Sequence, residues 1–236
     1  VQETEDLLRD KIGSLYPDRN GVQPNYYYRT YSILCPVCGE RFPLSNKWWF
    51  NKKKNIAVRP SYDGELTFSI VDSSKSDFDP ANGTVKQGDA ECPHCDSVTE
   101  RKDVTSILSE GNFRHEVGGV KYEKEVSGSK YHSPTKEDIT ALRNAQERVE
   151  TDMELSILLN NDRYIGLQDR AAPYGMTRWR DLFTPRQLIA HNALTEVFEE
   201  LRPQIQEKYD EETAEGVLVL LSLISVKQVN HNSRLI

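Results

Sequence analysis

The pattern of apolar and polar positions changes character twice along the chain. In residues 1 to 16, Leu8, Ile12 and Leu15 recur at helical spacing among Glu, Asp, Lys and Arg, which predicts an amphipathic helix ended at Tyr16-Pro17. Asp18 to Asn25, rich in Gly, Pro and Asn, reads as a linker. From Tyr26 to about Tyr131 the period falls to two, most plainly where Leu66, Phe68 and Ile70 alternate with Glu65, Thr67 and Ser69, and β structure is expected. Asp63-Gly64 lies between Ala57-Val58 and that run. Asp-Gly suits a two-residue hairpin turn, because both turn positions need positive φ. A second turn-rich stretch, Asp72 to Gly88, follows.

Helical periodicity returns after Ser133-Pro134, a serine cap with proline in the first turn. Ile139, Leu142 and Val149 mark a charged helix there, running to about Met153. Thr184-Pro185-Arg186-Gln187 combines an N-cap threonine, proline at the first helical position and glutamine at the third, so the first backbone donors are satisfied reciprocally. That helix is expected to reach about Leu201, to bury Ala190, Leu194, Val197, Phe198 and Leu201, and to leave Pro203 beyond its end. A last helix, roughly Glu211 to Val229, is apolar almost all round in its middle, a pattern that belongs inside a larger body. No internal repeat is present. The segments predict an α+β fold in three parts: an N-terminal helix and linker over 1–25, a β-rich module over 26–132 and a helical region over 133–236.

Composition narrows the setting. The chain of 236 residues can bury a sizeable core, and 37% hydrophobic with 28% charged residues is ordinary for a soluble protein. The longest apolar run, Val217 to Ile224 followed by Ser225 and Val226, falls short of the roughly 20 residues that span a bilayer, so a cytoplasmic protein with no membrane contact is expected. A net charge of −7 argues against chain-wide affinity for nucleic acid and restricts any such binding to a local surface. The start at Val1 and the apolar segment just before Ile236 read as those of a piece of a longer protein.

Cys35-Pro-Val-Cys38-Gly39 and Cys92-Pro-His-Cys95 use every cysteine in the chain. In each pair a tight turn aims two thiolates at one cation, and two such turns complete the tetrahedral four-sulfur shell that Zn²⁺ favours. Two disulfides do not suit a chain without secretory features, and a dithiol redox pair does not explain a second identical motif. His94 stands between two of the ligands, but four cysteines already close the shell. A closed shell leaves no position for water or substrate, so the expected zinc is structural. It would clamp the ends of a ribbon too small to build a large core.

Two further clusters are candidates for contacts to nucleic acid. Arg41 to Tyr62 holds no acidic residue but carries Arg41, Lys47, Lys52, Lys53, Lys54 and Arg59 beside Trp48, Trp49 and Phe50. Phosphates would take the charge and bases or sugars the rings; the competing reading is a solvated lysine turn beside aromatics that fill the ribbon core. Arg178, Arg180 and Arg186 cluster at the start of the capped helix, where they would hold anions or pair with Asp181 and nearby acids. No P-loop, no G-x-G-x-x-G, no H-E-x-x-H and no G-x-S-x-G is present, and the five histidines are scattered singly, so no catalytic residue is assigned.

The order of these motifs carries a resemblance. Tyr28-Arg29-Thr30, Cys35-Pro-Val-Cys38-Gly39, Pro43-Leu44, Trp49, Lys52-Lys53-Lys54, Val58-Arg59-Pro60, Gly83-Thr84-Val85-Lys86-Gln87-Gly88, the second Cys-Pro pair and Tyr174 through Leu188 follow one another. In this order they resemble the central region of large adenine-specific DNA methylases with a zinc-ribbon insertion, over nearly the whole chain. In that family an S-adenosylmethionine site near a D-P-F-x-G-G-G type turn precedes this region and a catalytic D-P-P-Y type motif follows it. Neither motif occurs here. The resemblance therefore implies an internal segment or split product of a DNA adenine-N6 methyltransferase, with S-adenosylmethionine bound by the parent protein. It also implies the zinc ligand set, DNA contact through the parent, and packing of the helix after Phe183 on the remaining methyltransferase domain or subunit. The alternative is a non-enzymatic zinc-ribbon module for nucleic-acid or protein contact, which the paired C-x-x-C motifs support equally.

Overall fold

The computed structural model describes residues 2–151 and 171–231, and the end of the helix expected to reach Met153 lies outside them. Helix α1 (Gln2–Ile12) is followed by strands β1 (Pro24–Leu34), β2 (Arg41–Leu44), β3 (Trp49–Asn51), β4 (Ile56–Ser61) and β5 (Thr67–Asp72). Short strands β6 (Val85–Lys86), β7 (Asp89–Glu91) and β8 (Val98–Thr99) lead to α2 (Arg101–Ser109), then β9 (Phe113–Val126), β10 (Ser129–His132) and α3 (Lys136–Thr151). Helices α4 (Pro185–Lys208) and α5 (Glu211–His231) follow. The fold is mixed α+β with antiparallel sheets, and no helix among the described residues is long and apolar enough to cross a membrane. The described residues divide into two compact units: 17–139 with 171–176, and 2–16 with 140–151 and 177–231. The N-terminal helix thus belongs with the late helices.

In the first unit a four-stranded sheet runs β10-β9-β1-β2. Its backbone is the long pairing of β1 with β9, which sets Tyr31 opposite His115 and Ile33 opposite Phe113. Opposite residues share a face, so Ile33 and Phe113 turn together toward the core built with Phe42, Cys35 and Cys92. A second sheet, β3-β4-β5, closes over Trp48, Val58 and Phe68, with Tyr28, Phe50 and Ile70 at the margin. The polar and apolar alternation of β5 holds: Phe68 is buried, while Thr67 and Ser69 face solvent. The turn before it differs from expectation. Ser61 pairs with Thr67, so Asp63-Gly64 sits in a five-residue connection rather than a two-residue one.

The third sheet, β6-β7-β8, is fastened to β2 by a short strap. The Ser45 amide donates to Thr84 Oγ1 at 3.1 Å, and the Val85 amide donates to the Ser45 carbonyl at 3.0 Å. The strap approaches so closely that a Cβ on Gly83 would stand 2.0 Å from the Ser45 carbonyl oxygen.

The second unit is helical. Leu15, Ala145 and Ile189 form its small core with Ile12, Tyr16 and Val149 around them. Thr184 and Gln187 cap α4 as the sequence predicts, each side chain engaging the other's backbone N–H. Two details depart from expectation. The helix passes through Pro203 to Lys208, and its buried stripe is Ile189, Ala193, Val197 and Leu201, with Ala190, Leu194 and Phe198 half-buried beside it. Likewise α3 is capped by Thr135 rather than Ser133: Thr135 N donates to Asp138 Oδ2 at 2.9 Å, while Ser133 Oγ accepts from the Ile70 amide. Ile139, expected inside, is exposed.

Because the obstruction at Gly83 is backbone, side-chain repacking cannot relieve it. Gly83→Ala is expected to lower stability by about 1–3 kcal/mol or more, read as a fall in the urea midpoint. An unchanged midpoint would show that the strap is free to move.

Candidate metal centre

Each C-x-x-C motif is the turn of a small antiparallel hairpin. The first joins β1 to β2: the Cys35 amide donates to the Glu40 carbonyl at 2.8 Å, and the Gly39 amide donates back to the Cys35 carbonyl at 2.9 Å. The second joins β7 to β8 in the same way, with Cys92 N to the Ser97 carbonyl and Asp96 N to the Cys92 carbonyl, both at 2.9 Å. The residue after the second cysteine takes a left-handed conformation in both, Gly39 at φ 77° and Asp96 at φ 57°. Glycine adopts this without penalty, and aspartate is among the residues that tolerate it. Two unlike sequences thus make one kind of knuckle.

The knuckles bring all four sulfurs within 4.8 Å of one another. Cys35 Sγ lies 3.8 Å from Cys95 Sγ, and Cys38 Sγ lies 3.8 Å from Cys92 Sγ. A tetrahedron with metal–sulfur bonds of about 2.3 Å has edges of roughly 3.8 Å, whereas a disulfide requires about 2.05 Å. The spacing is compatible with four ligands around one cation, and the thiols are not joined in disulfides. The chemistry fits as well: tetrahedral four-thiolate sites hold zinc or iron.

The ionisation of the cluster is uneven. Burial opposes ionisation of Cys35, but the Ser97 hydroxyl and the backbone N–H groups of Cys38 and Val37 outweigh it and bring the thiol down to about 6. Cys92, under burial and with Cys35 and Cys38 beside it, is pushed up to about 12. Cys95 is lowered, chiefly by Ser97, and Cys38 is raised. Four sulfurs this close do not all carry charge on their own; a divalent cation among them is what stabilises four thiolates together.

The surroundings of the sulfurs add groups that the motifs do not announce. Ser97 Oγ stands 3.3 Å from Cys35 Sγ and 3.1 Å from Cys95 Sγ, bridging one sulfur of each knuckle. The corresponding position of the first knuckle is Glu40, so the likeness of the two motifs carries no hint of it. Helix α2 stands where strands are expected, although Val104, Ile107 and Leu108 have helical spacing; Val104 and Leu108 are buried in the same core as Cys35 and Cys92. His94 is outside the cluster, exposed, with Nε2 3.4 Å from the Arg41 carbonyl and its ring edge-on to Tyr62.

The basic candidates separate into two kinds. Lys52, Lys53 and Lys54 form an exposed 3₁₀ turn between β3 and β4, ended by Asn55 in the left-handed region, and Lys47 is also exposed. The aromatics beside them are mostly interior: Trp48 is buried with Nε1 donating to the Asn82 carbonyl at 3.1 Å, and Phe50 packs against Tyr26, Tyr28 and Tyr131. Arg59 pairs with Asp77 at 3.3 Å and lies over Phe78. Arg178 and Arg180 belong to the turn organised by Asp181, whose Oδ2 accepts from the Arg178 amide at 2.9 Å. Arg186 is 3% exposed, donates to the Leu15 carbonyl at 3.1 Å and lies over the Tyr16 ring, so its guanidinium ties the turn after α1 to α4 and is buried away from the surface.

No family profile, no curated protein and no solved structure matches the chain.

Cys92→Ser is expected to lose bound metal and unfold the sheets around the knuckles, read by elemental analysis and near-ultraviolet dichroism, while the helices after Thr184 persist. Retention of one metal per chain in that variant would exclude Cys92 as a ligand. Ser97→Ala is expected to keep the metal but release it to a chelator roughly tenfold faster, since groups that hydrogen-bond to ligands tune affinity by about that factor. An unchanged release rate would leave the hydroxyl without a role at the sulfurs.

Proposed function

We propose that the chain is a zinc-stabilised, DNA-engaging segment of a DNA adenine-N6 methyltransferase. The cation is Zn²⁺, which accepts a tetrahedral thiolate shell without any redox requirement. All four positions are taken by sulfur, so the metal stabilises the fold and takes no part in methyl transfer. The observation that carries the DNA role is the lysine turn. Lys52, Lys53 and Lys54 stand exposed at the end of a hairpin, and none has an ion pair with a described residue. An acidic chain that concentrates unpaired lysines on one rigid turn has a local surface for a phosphate backbone.

The methyltransferase assignment rests on the ordered motifs from Tyr28 to Leu188, and S-adenosylmethionine and the reacting adenine belong to the parent protein. One structural observation favours a neighbouring body. Val219, Leu220, Leu223 and Ile224 of α5 are exposed, a contiguous apolar face suited to packing against the remaining methyltransferase domain. The second reading, a free-standing ribbon for protein or RNA contact, shares the metal centre but gives the lysine turn no DNA to hold.

The zinc-loaded chain is expected to bind duplex DNA in a salt-dependent manner. Lys52→Glu, Lys53→Glu and Lys54→Glu together should weaken binding on the order of tenfold or more, with the salt slope reduced by about 0.9 for each phosphate no longer engaged. Equal affinity of the triple variant in a fluorescence-anisotropy titration would remove the DNA role.

A further inference from the structure

Beside the first knuckle lies a groove of about 430 Å³ that neither the lysine turn nor the metal explains. Its floor and walls include Leu34, Arg41, Ile107, Phe113 and Arg114. Strand register accounts for its polarity. Leu34 pairs with Arg41 across β1 and β2, and Ser32 pairs with Arg114 across β1 and β9. Residues 32 and 34 share a face of β1, so arginines from the two flanking strands rise on that same face with β1 between them. Two strand spacings of about 4.8 Å and a two-residue offset along the strands place their backbones roughly 12 Å apart, a separation that two guanidinium forks can close upon one anion.

The charge at the groove is not balanced from within. No acidic side chain lines it. Glu116, on the same sheet face, accepts a hydrogen bond from Ser32 Oγ at 2.6 Å, and burial raises its pKa despite the two nearby arginines. Arg41 donates from Nη1 to the Ser32 carbonyl at 3.1 Å and to Ser32 Oγ at 3.3 Å, which fixes its position. Burial, and then the charge on Arg114, lower the pKa of Arg41. Arg114 is exposed and has no hydrogen bond or ion pair with any described residue. Two cations are therefore held together against their repulsion, offset by the half-buried Glu116 with Glu65 near it, next to Leu34, an apolar side chain 52% exposed.

We infer that this groove binds a phosphodiester of a nucleic-acid strand, with Arg41 and Arg114 on the phosphate oxygens and the exposed Leu34 against the adjoining sugar. The inference rests on the DNA reading above and adds to it a second, geometrically defined contact. A bidentate fork on phosphate is also more directional than a lysine point charge, so the groove orients the strand where the lysine turn only attracts it.

The test uses the whole zinc-loaded chain and a fluorescein-labelled DNA duplex. Arg114→Ala is expected to weaken binding about three- to tenfold and to reduce the salt slope by about 0.9, because one phosphate is no longer neutralised. Arg114 is exposed and makes no hydrogen bond or ion pair with a described residue, and its repulsion of Arg41 opposes its attraction to Glu116, so thermal unfolding should change little, and Arg114→Lys should recover part of the affinity. The lysine-turn variant run beside it separates the two ideas. If the lysine variant weakens binding and Arg114→Ala does not, the groove is overturned and the DNA reading stands. If neither affects binding, both fall. Inorganic phosphate alone is the remaining probe: if it shifts the Arg114 side-chain NMR resonance while the duplex does not, the nucleic-acid occupant is overturned in favour of a small anion.

Discussion

Mutual repulsion among four sulfurs is the constraint around which the β-rich unit is arranged. Brought within 4.8 Å of one another, the thiols can all ionise only with a cation between them. Everything near the site serves to make the approach possible. The long β1 and β9 pairing holds the first knuckle, the strap from Ser45 to Val85 brings up the second, and α2 roofs the core behind both. The cluster and the apolar packing therefore share residues: Cys35 and Cys92 are buried members of the core as well as members of the four-cysteine cluster, while Cys38 and Cys95 face outward.

The knuckle geometry also organises the surface. Because β1 leads straight into Cys35 and β2 leads straight out of Glu40, the first knuckle fixes the register that pairs Leu34 with Arg41. The arginine groove is thus a by-product of the same turn that presents two sulfurs. The lysine turn is set differently, by the aromatic packing of Trp48 and Phe50 beneath β3 and β4.

What is legible in the sequence is whatever depends on local spacing. The C-x-x-C pairs, the Thr184 and Gln187 cap and the alternation of β5 each follow from residues a few positions apart, and the structure contains all three. What is hidden depends on tertiary neighbours. Arg186 resembles an anion ligand because basic residues cluster around it, yet the carbonyl of Leu15 and the ring of Tyr16 claim it. Trp48 and Phe50 are open to either reading until the second sheet closes over them. Arg114 has no sequence signal at all, since only the strand register sets it on the face that carries Arg41. Helix α2 has the right spacing but is masked by the strand-like stretches on either side.

The sheet that bears the lysine turn is carried entirely on the chain between the two knuckles. A cation that joins those knuckles closes this stretch into a ring, and the entropy of ring closure grows only logarithmically: doubling its length costs about 0.6 kcal/mol. Such a clamp makes the intervening chain tolerant of insertion. A hairpin there can be lengthened, shortened or exchanged at small thermodynamic cost, provided the aromatic packing at its base is kept. The molecule accordingly separates a part whose shape is fixed at the four-cysteine cluster from one that is free to diversify in what it touches.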